Sequence, residues 1–461
     1  MNTVSHALRR VGVAAYDARR AFGSGTSSSF RFYRDALATR QRMLSASTAV
    51  KETETLRLLR EAVRRASTIP FWAERFRAAG LDWTRDFSFD DFKRVPVLSR
   101  TDIASVGDGL LSSSAGSSDR RKMATGGSSG TPTVTWTGPL ERAWIESGIE
   151  FFEGRVGLSR YDSRALLWGH NLDPIARAGV RDRAEDWLWN RRWYDCFRLS
   201  PAILTEYHRD MTQFRPAVVL AYATALSSFA QTVQSLGEPV PTYPTLGFVT
   251  GAEKLLPEQR ALIETVFQRP VYERYGGRDL GFLAMQSPGA SHDFTIDWMN
   301  VLVEPEHDRE EDSIVVTKLH ADAMPLFRYR SGDIGRFPSN AAARPVFTLH
   351  EVVGRELQRV ARRDGGWMHG TVIPHLLKDF PLKEYQLHQS ADLAVTLSYV
   401  PLRPLEPAQV DAIMTALHDN LPDIPVELRI VDAVPRTAAG KWLPVVSEAT
   451  PGVVTASGGG A

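Results

Sequence analysis

The sequence predicts an α/β protein: a large N-terminal domain of mixed sheets and helices, followed by a small α+β domain. Three observations carry this expectation. Short apolar runs alternate with helical segments from about Lys122 to Phe347. The stretch that follows has strand and helix signals of its own. The chain, 461 residues at 43% hydrophobic, is long enough to bury a large core and to divide into two or three domains.

The N-terminal "HALRRVGVAAYDARRAFGSG" is basic and mildly amphipathic, and residues 1–30 read as a peripheral helix and linker, with a targeting peptide as the lesser alternative. From Arg31 to Ala79 apolar residues recur at three and four with Arg and Glu between them, which predicts helices. Runs such as "ALLWG", "AVVLAY", "TLGFVTG" and "DSIVVTKL" then read as strands, separated by helical segments such as "PEQRALIETVFQ". After "LHEVVGRELQRV" come "LAVTLSYV", "PAQVDAIMTALHDNL" and "VELRIVDAV", the strand, helix and strand of the small domain. The tail "SEATPGVVTASGGGA" reads as disordered from about residue 448.

Composition narrows the partner. Lys plus Arg at 55 against Asp plus Glu at 54 leaves no long-range basic field, so nucleic acid is not expected and a small ligand is. No stretch approaches the roughly 18 apolar residues that a membrane span needs. A single cysteine, Cys196, excludes a disulfide framework and a cysteine-based zinc site, and fits a cytoplasmic location.

One loop asks for a ligand. "ATGGSSGTPTVTWTG", residues 124–138, gathers glycines and hydroxyls and then turns into a strand pattern. Glycines admit close backbone approach, while free N–H groups and hydroxyls form a concave donor surface for phosphate oxygens. A P-loop is excluded because no Gly-Lys-Ser/Thr follows, and no Gly-x-Gly-x-x-Gly opens a strand-to-helix turn. Downstream, in order, stand "VTGAEKL" (249–255), "YERYGGRDLGFLA" (272–284), "FRYRSGDIGRF" (327–337), "VVGRELQRV" (352–360) and "VPRTAAGKW" (434–442).

This ordered set, from Lys122 to Lys441, resembles the motifs of the adenylate-forming superfamily, which includes acyl-CoA synthetases, firefly luciferases and peptide-synthetase adenylation domains; the likeness is greatest to its phenylacetate-CoA ligase branch. The resemblance implies a large adenylate-forming domain over 1–352, a hinge around Gly354 to Gln358, and a small mobile lid domain over 353–461. It implies activation of a carboxylic acid by ATP and Mg²⁺ to an acyl-adenylate with release of pyrophosphate, then transfer to CoA. Transfer to an amine, a hydroxyl or a carrier protein, and a non-catalytic nucleotide-binding relative, stay open as alternatives, as does a homodimer.

Residue by residue, the resemblance assigns Thr125, Gly126, Gly127, Ser128, Ser129, Gly130 and Thr131 to the β- and γ-phosphates, with Thr131 where the family often has Lys. Gly251, Ala252 and Glu253 would line the adenine. Tyr275 would stack on the base, Gly276 and Gly277 would leave room for the nucleotide, and Arg278 and Asp279 stand where relatives have Thr-Glu. Asp279 would be the Mg²⁺ ligand. Asp333 would accept the ribose hydroxyls. Arg355 would bridge ribose or phosphate at the hinge, where Leu357 and Gln358 depart from the usual acidic residues. Lys441 would touch the carboxylate and α-phosphate during adenylation. Trp168 and His170, with Trp189 and Trp193, are candidates for an aromatic or bulky acyl pocket, and Arg191 and Arg192 for an anionic group.

Overall fold

The computed structural model describes residues 27–113, 119–124, 134–168, 180–196, 199–289, 291–307, 311–339, 341, 344–355, 359–363, 367–369, 372–377, 380–435 and 443–449. The chain divides into two compact units. The first holds the described residues up to Val352, and the second those from Val353 on, together with Gly332–Ile334.

The centre of the first unit is an eight-stranded sheet of β3 (Arg164–Trp168), β4 (Arg191–Asp195), β5 (Val218–Ala221), β6 (Gly247–Gly251), β7 (Val271–Gly277), β8 (Gly281–Gln286), β9 (Phe294–Ile296) and β13 (Thr348–Leu349). Their spatial order is β13-β9-β8-β7-β6-β5-β3-β4. Strands β4, β3, β5, β6 and β7 run parallel, whereas β8, β9 and β13 continue the sheet antiparallel. Parallel strands need helical crossovers, and helices cover both faces. Val219 and Ala221 pack with Phe229, Ile263 and Phe267 from the helices Ala223–Ser235 and Pro257–Phe267. Val218 and Leu220, on the opposite face, pack with Phe152 from the helix Pro139–Arg155. This double burial is why "AVVLAY" reads as a continuous apolar run rather than an alternation.

The helical stretch expected from Arg31 to Ala79 is three helices, Ser27–Arg42, Thr48–Ala66 and Pro70–Ala78. Ser47 caps the second by accepting from Val50 N, and Pro70 opens the third. Leu58, Leu59, Ala62, Val63, Trp72 and Phe76 form one core with Val301, Val303, Ile314, Val316 and Phe327. The apolar partners come from the sheet of β10 (Val301–Pro305), β11 (Glu311–Lys318), β12 (Tyr329–Arg336) and β14 (Glu351–Arg355) and the turn before β12. The helix Pro139–Arg155 begins at Gly138, which has no side chain to cap it. Asp322 serves instead, accepting from Leu140 N at 3.0 Å and Glu141 N at 3.3 Å. A Cβ on Gly138 would fall 2.1 Å from Asp322 Oδ1, so the distant cap requires the glycine.

His320 lies inside this unit, stacked on Trp144 with ring centroids 3.7 Å apart and bonded through Nε2 to Met299 O at 2.9 Å. Burial pushes it well below the ordinary histidine range, with Arg65 and Arg40 adding to the effect and the Met299 bond opposing it. The folded state therefore holds a neutral imidazole, while the unfolded chain protonates near pH 6.5. The unfolded state binds more protons below that value, so stability is fully present above about pH 6.5 and is lost as pH falls further. Unfolding free energies measured at pH 7.5 and 5.5 are expected to differ by less in His320→Gln than in the wild type; an equal difference would count against this origin.

In the second unit, β17 (Leu382–Gln389), β18 (Val395–Pro401), β19 (Val426–Ile430) and β20 (Val445–Ser447) form a sheet of order β19-β18-β17-β20, with β17 and β18 antiparallel and the two edges parallel. Leu387, Leu397, Ile413 and Leu417 make its core with the helix Pro407–Asn420. Fully buried Gln389 accepts from Ala361 N at 2.7 Å and donates to Ala361 O at 2.9 Å, holding the hairpin of β15 (Arg359–Ala361) and β16 (Trp367–His369) to the sheet. Among the described residues no helix is long and apolar enough to cross a membrane.

Candidate active site

The strand order places a switch point in the first unit. From β3 the chain moves to one side for β4 and returns to the other side for β5, so the crossovers diverge between β3 and β5. In open α/β sheets, ligands collect outside the carboxyl ends of the strands at such a point. The residues there are Trp168 at the end of β3, Cys196 after β4, Tyr222 after β5, Gly251–Glu253 at the end of β6 and Gly276–Asp279 at the end of β7.

Trp168 and Tyr222 touch, with ring centroids 4.4 Å apart. Gly251 lies beside the indole: a Cβ there would sit in ordinary contact, 3.6 Å from Trp168 Cη2 and 3.4 Å from Arg274 O. Ala252 follows at φ 67°, a left-handed conformation that costs a non-glycine residue about 1 kcal/mol and turns the chain sharply away from the strand. That turn sends Glu253 sideways. Its Oε2 accepts from Thr224 N at 3.1 Å and Thr224 Oγ1 at 2.7 Å, capping the helix Ala223–Ser235, whose first residues offer unpaired N–H groups. Burial first, then Cys196 and Glu253, push the Tyr222 hydroxyl up to about 12, and burial, Glu253 and Asp195 push the Cys196 thiol up to about 12. Both stay protonated at neutral pH, so Cys196 lacks the thiolate that nucleophilic chemistry needs.

At the end of β7 the two glycines have steric reasons. A Cβ on Gly276 would meet Gly281 O at 2.3 Å across the β7–β8 pairing, where the register shifts between Tyr275 and Gly276. Gly276→Ala forces the hairpin apart and is expected to cost about 2 kcal/mol of stability by denaturant unfolding; an unchanged midpoint would mean the turn relaxes freely. A Cβ on Gly277 would lie 2.7 Å from Asp279 Oδ1. Tyr275, expected to stack on a base, is 9% exposed and belongs to the core. Arg278 is exposed on the turn. Asp279 is buried and accepts a hydrogen bond from the Tyr329 hydroxyl at 2.9 Å.

Asp333 is half-buried in β12, next to Gly332 at φ 80°. Arg355 ends β14, and Gly354 before it sits at φ 144°, a conformation open to glycine. The Gly/Ser/Thr loop is flanked by β1 (Arg121–Ala124) and β2 (Val134–Thr137), which pair antiparallel with Ala124 opposite Val134. Thr125, Gly126, Gly127, Ser128, Ser129, Gly130, Thr131, His170, Leu357, Gln358 and Lys441 lie outside the described residues, as does the side chain of Arg355. Trp189 lies before β4, at the opposite end of that strand from Cys196, with Arg160 4.7 Å over its ring. Trp193 donates to Asp186 at 3.2 Å. Arg191 pairs with Asp186, and Arg192 with Asp210.

Sequence reading did not single out Tyr222 or Tyr329. Tyr222 closes the strand "AVVLAY" directly before a helical run, and the tendency of ligands to gather at the ends of parallel strands is the signal that points to it. Tyr329 carries no such local signal.

No family model matches the chain, and none of the curated proteins matches it. Solved structures do. 2-Hydroxyisobutyryl-CoA ligase in the postadenylation state, in complex with R3-HIB-AMP, superposes with a TM-score of 0.64 at 16% identity, covering 88% of this chain and 91% of that one. The same ligase in an open conformation with 2-HIB-AMP and CoA gives 0.55 at 17% identity, covering 87% and 92%. An ATP-bound RpMatB-BxBclM chimera gives 0.50 at 16% identity, covering 70% and 66%. At these identities the likeness speaks for architecture, and the chain has the fold of the adenylate-forming ligases.

Proposed function

We propose that this protein is an AMP-forming ligase of the phenylacetate-CoA ligase type, working in the cytoplasm. It activates an aromatic or bulky carboxylic acid with ATP, releases pyrophosphate, and passes the acyl group from the acyl-adenylate to CoA. The observation that carries the reading is the coincidence of motif and fold. The segments "GAEKL" and "YGGRD" end adjacent parallel strands at the ligand-collecting edge of a sheet. That sheet belongs to a fold shared with a ligase solved with an acyl-adenylate and CoA.

In this reading the Thr125–Thr131 loop holds the β- and γ-phosphates, Gly251–Glu253 and Tyr275–Gly277 border the base, and Asp333 accepts the ribose hydroxyls. Arg355 and Lys441 serve the reacting phosphate, and Trp168 with Tyr222 forms the apolar wall that receives the acid. Magnesium, when bound with ATP, would supply charge neutralisation for the leaving pyrophosphate. Asp279, the carboxylate expected to hold the ion, does not fit that role, because it is buried and bonded to Tyr329. Among the described residues no group of three or more His, Cys, Asp and Glu side chains is placed to hold a metal.

ATP–pyrophosphate exchange across aromatic and short aliphatic acids tests the reaction. Exchange with a subset of acids, AMP as product and consumption of CoA are expected; ADP and phosphate as products would remove the assignment. Asp333→Ala deletes a charge-assisted acceptor and is expected to weaken apparent ATP affinity by roughly 1.5 to 3 kcal/mol. An unchanged ATP dependence in the folded variant would remove Asp333 from the nucleotide site.

A further inference from the structure

The turn at the end of β7 is tied to a strand that lies far away in sequence. Tyr329, at the start of β12, is fully buried. Its backbone is fixed from the side: Leu98 N donates to Arg328 O at 2.8 Å, and Arg330 N donates to Leu98 O at 3.0 Å. Arg100 Nη2 adds a bond to Ser331 O at 2.8 Å. From this rigid position the Tyr329 hydroxyl donates to Asp279 Oδ2 at 2.9 Å. Burial and the neighbouring carboxylate raise the tyrosine pKa, which keeps the hydroxyl protonated as a donor. The other carboxylate oxygen folds back against Gly277, where a side chain would leave no room for it. A magnesium ligand has to present an oxygen to phosphates and water, and a carboxylate 6% exposed with one oxygen committed to a buried hydroxyl is built for another purpose.

We infer that Asp279 is a positioning residue, whose bond to the Tyr329 hydroxyl fixes the Gly276–Asp279 turn to the start of β12. This rests on the proposed nucleotide site, since the turn borders the base and β12 is the strand on which Asp333 lies. The sequence motif alone points to a metal; the partner that the carboxylate has chosen points to the architecture of the turn.

The test uses the full chain with Tyr329→Phe, Asp279→Ala, Asp279→Asn and the Tyr329→Phe/Asp279→Ala double variant. AMP binding is measured calorimetrically in EDTA, where no metal takes part, alongside denaturant unfolding of the same proteins. Positioning predicts that Tyr329→Phe and Asp279→Ala each weaken AMP binding about ten-fold, with the double variant no worse than either. Asp279→Asn, whose amide oxygen still accepts the tyrosine proton, should stay within about three-fold of the wild type. Unchanged AMP binding in all variants, with only the Asp279 variants raising the Mg²⁺ concentration needed for ATP binding, would overturn the inference in favour of a metal ligand. If the wild type binds no adenine nucleotide, the proposed function fails and unfolding decides the inference separately. Non-additive stability losses for Tyr329→Phe and Asp279→Ala then retain the tie, whereas additive losses overturn it.

Discussion

Replacing Lys441 by Ala is expected to lower kcat for acyl-adenylate formation by about 10²- to 10³-fold while leaving apparent ATP affinity nearly intact. This expectation rests on the proposed function and on the sequence, because Lys441 lies outside the described residues. Charge builds between the attacking carboxylate and the departing pyrophosphate only as the acyl-phosphate bond forms. An ammonium placed there contributes to transition-state binding and adds little to ground-state binding. The second half of the reaction has no such charge to stabilise. Pre-made acyl-adenylate supplied to the variant should therefore react with CoA at near the wild-type rate, which single-turnover measurement can follow. Equal loss in both halves would make Lys441 structural, and no loss in either would return it to the solvated surface.

The largest stability effect is expected at Arg40. This side chain, on the helix Ser27–Arg42, is 2% exposed and reaches Asp297, also 2% exposed, through Nε at 2.9 Å and Nη2 at 2.7 Å. Its Nη1 donates to Ser147 Oγ at 2.8 Å, Nη2 also donates to Trp144 O at 2.8 Å, and the guanidinium lies 4.6 Å over the Trp144 ring. The first described helix, the helix Pro139–Arg155 and the turn after β9 are thus joined at one buried group. Arg40→Ala leaves the Asp297 carboxylate buried without its counter-ion, and breaking such a pair costs about 3 to 5 kcal/mol. Arg40→Lys should recover little, because an ammonium cannot reproduce the two-pronged bond and the ring contact together. Denaturant unfolding checks both variants, and a loss below about 1 kcal/mol for Arg40→Ala would mean that water reaches Asp297 easily.

Much of the first unit was legible in the sequence because its strands are short apolar runs bounded by glycine and proline, and its helices carry caps and proline starts in register with their apolar faces. "DSIVVTKL" and "PEQRALIETVFQ" formed the strand and helix that their patterns required. The periodicity of Arg31–Ala79 matches its helices, but their division at Ser47 and Pro70 depends on caps that periodicity does not resolve. Of the motif segments, "GAEKL" and "YGGRD" fall at the ends of β6 and β7.

The side chains of the candidate site were less legible, for a physical reason. Sequence pattern fixes which residues face a core and where the backbone must turn, since those demands are met by neighbours three or four positions away or alternating along a strand. The glycines at 276 and 277 answer to neighbours of this kind, Gly281 O and Asp279 Oδ1, whereas the family resemblance assigned them to the nucleotide. Which partner a polar side chain finds depends on which strands lie side by side, and the order β4-β3-β5-β6-β7 is not the order of the chain. Glu253 therefore caps a helix that begins at Ala223, Asp322 caps one that begins at Pro139, and Asp279 accepts from Tyr329. The sequence by itself determined the strands, the helices and the places where backbone comes close. Only the tertiary structure decided what each of these partly or fully buried carboxylates does, because a charge drawn out of water must take a partner and the sheet order decides which one is within reach.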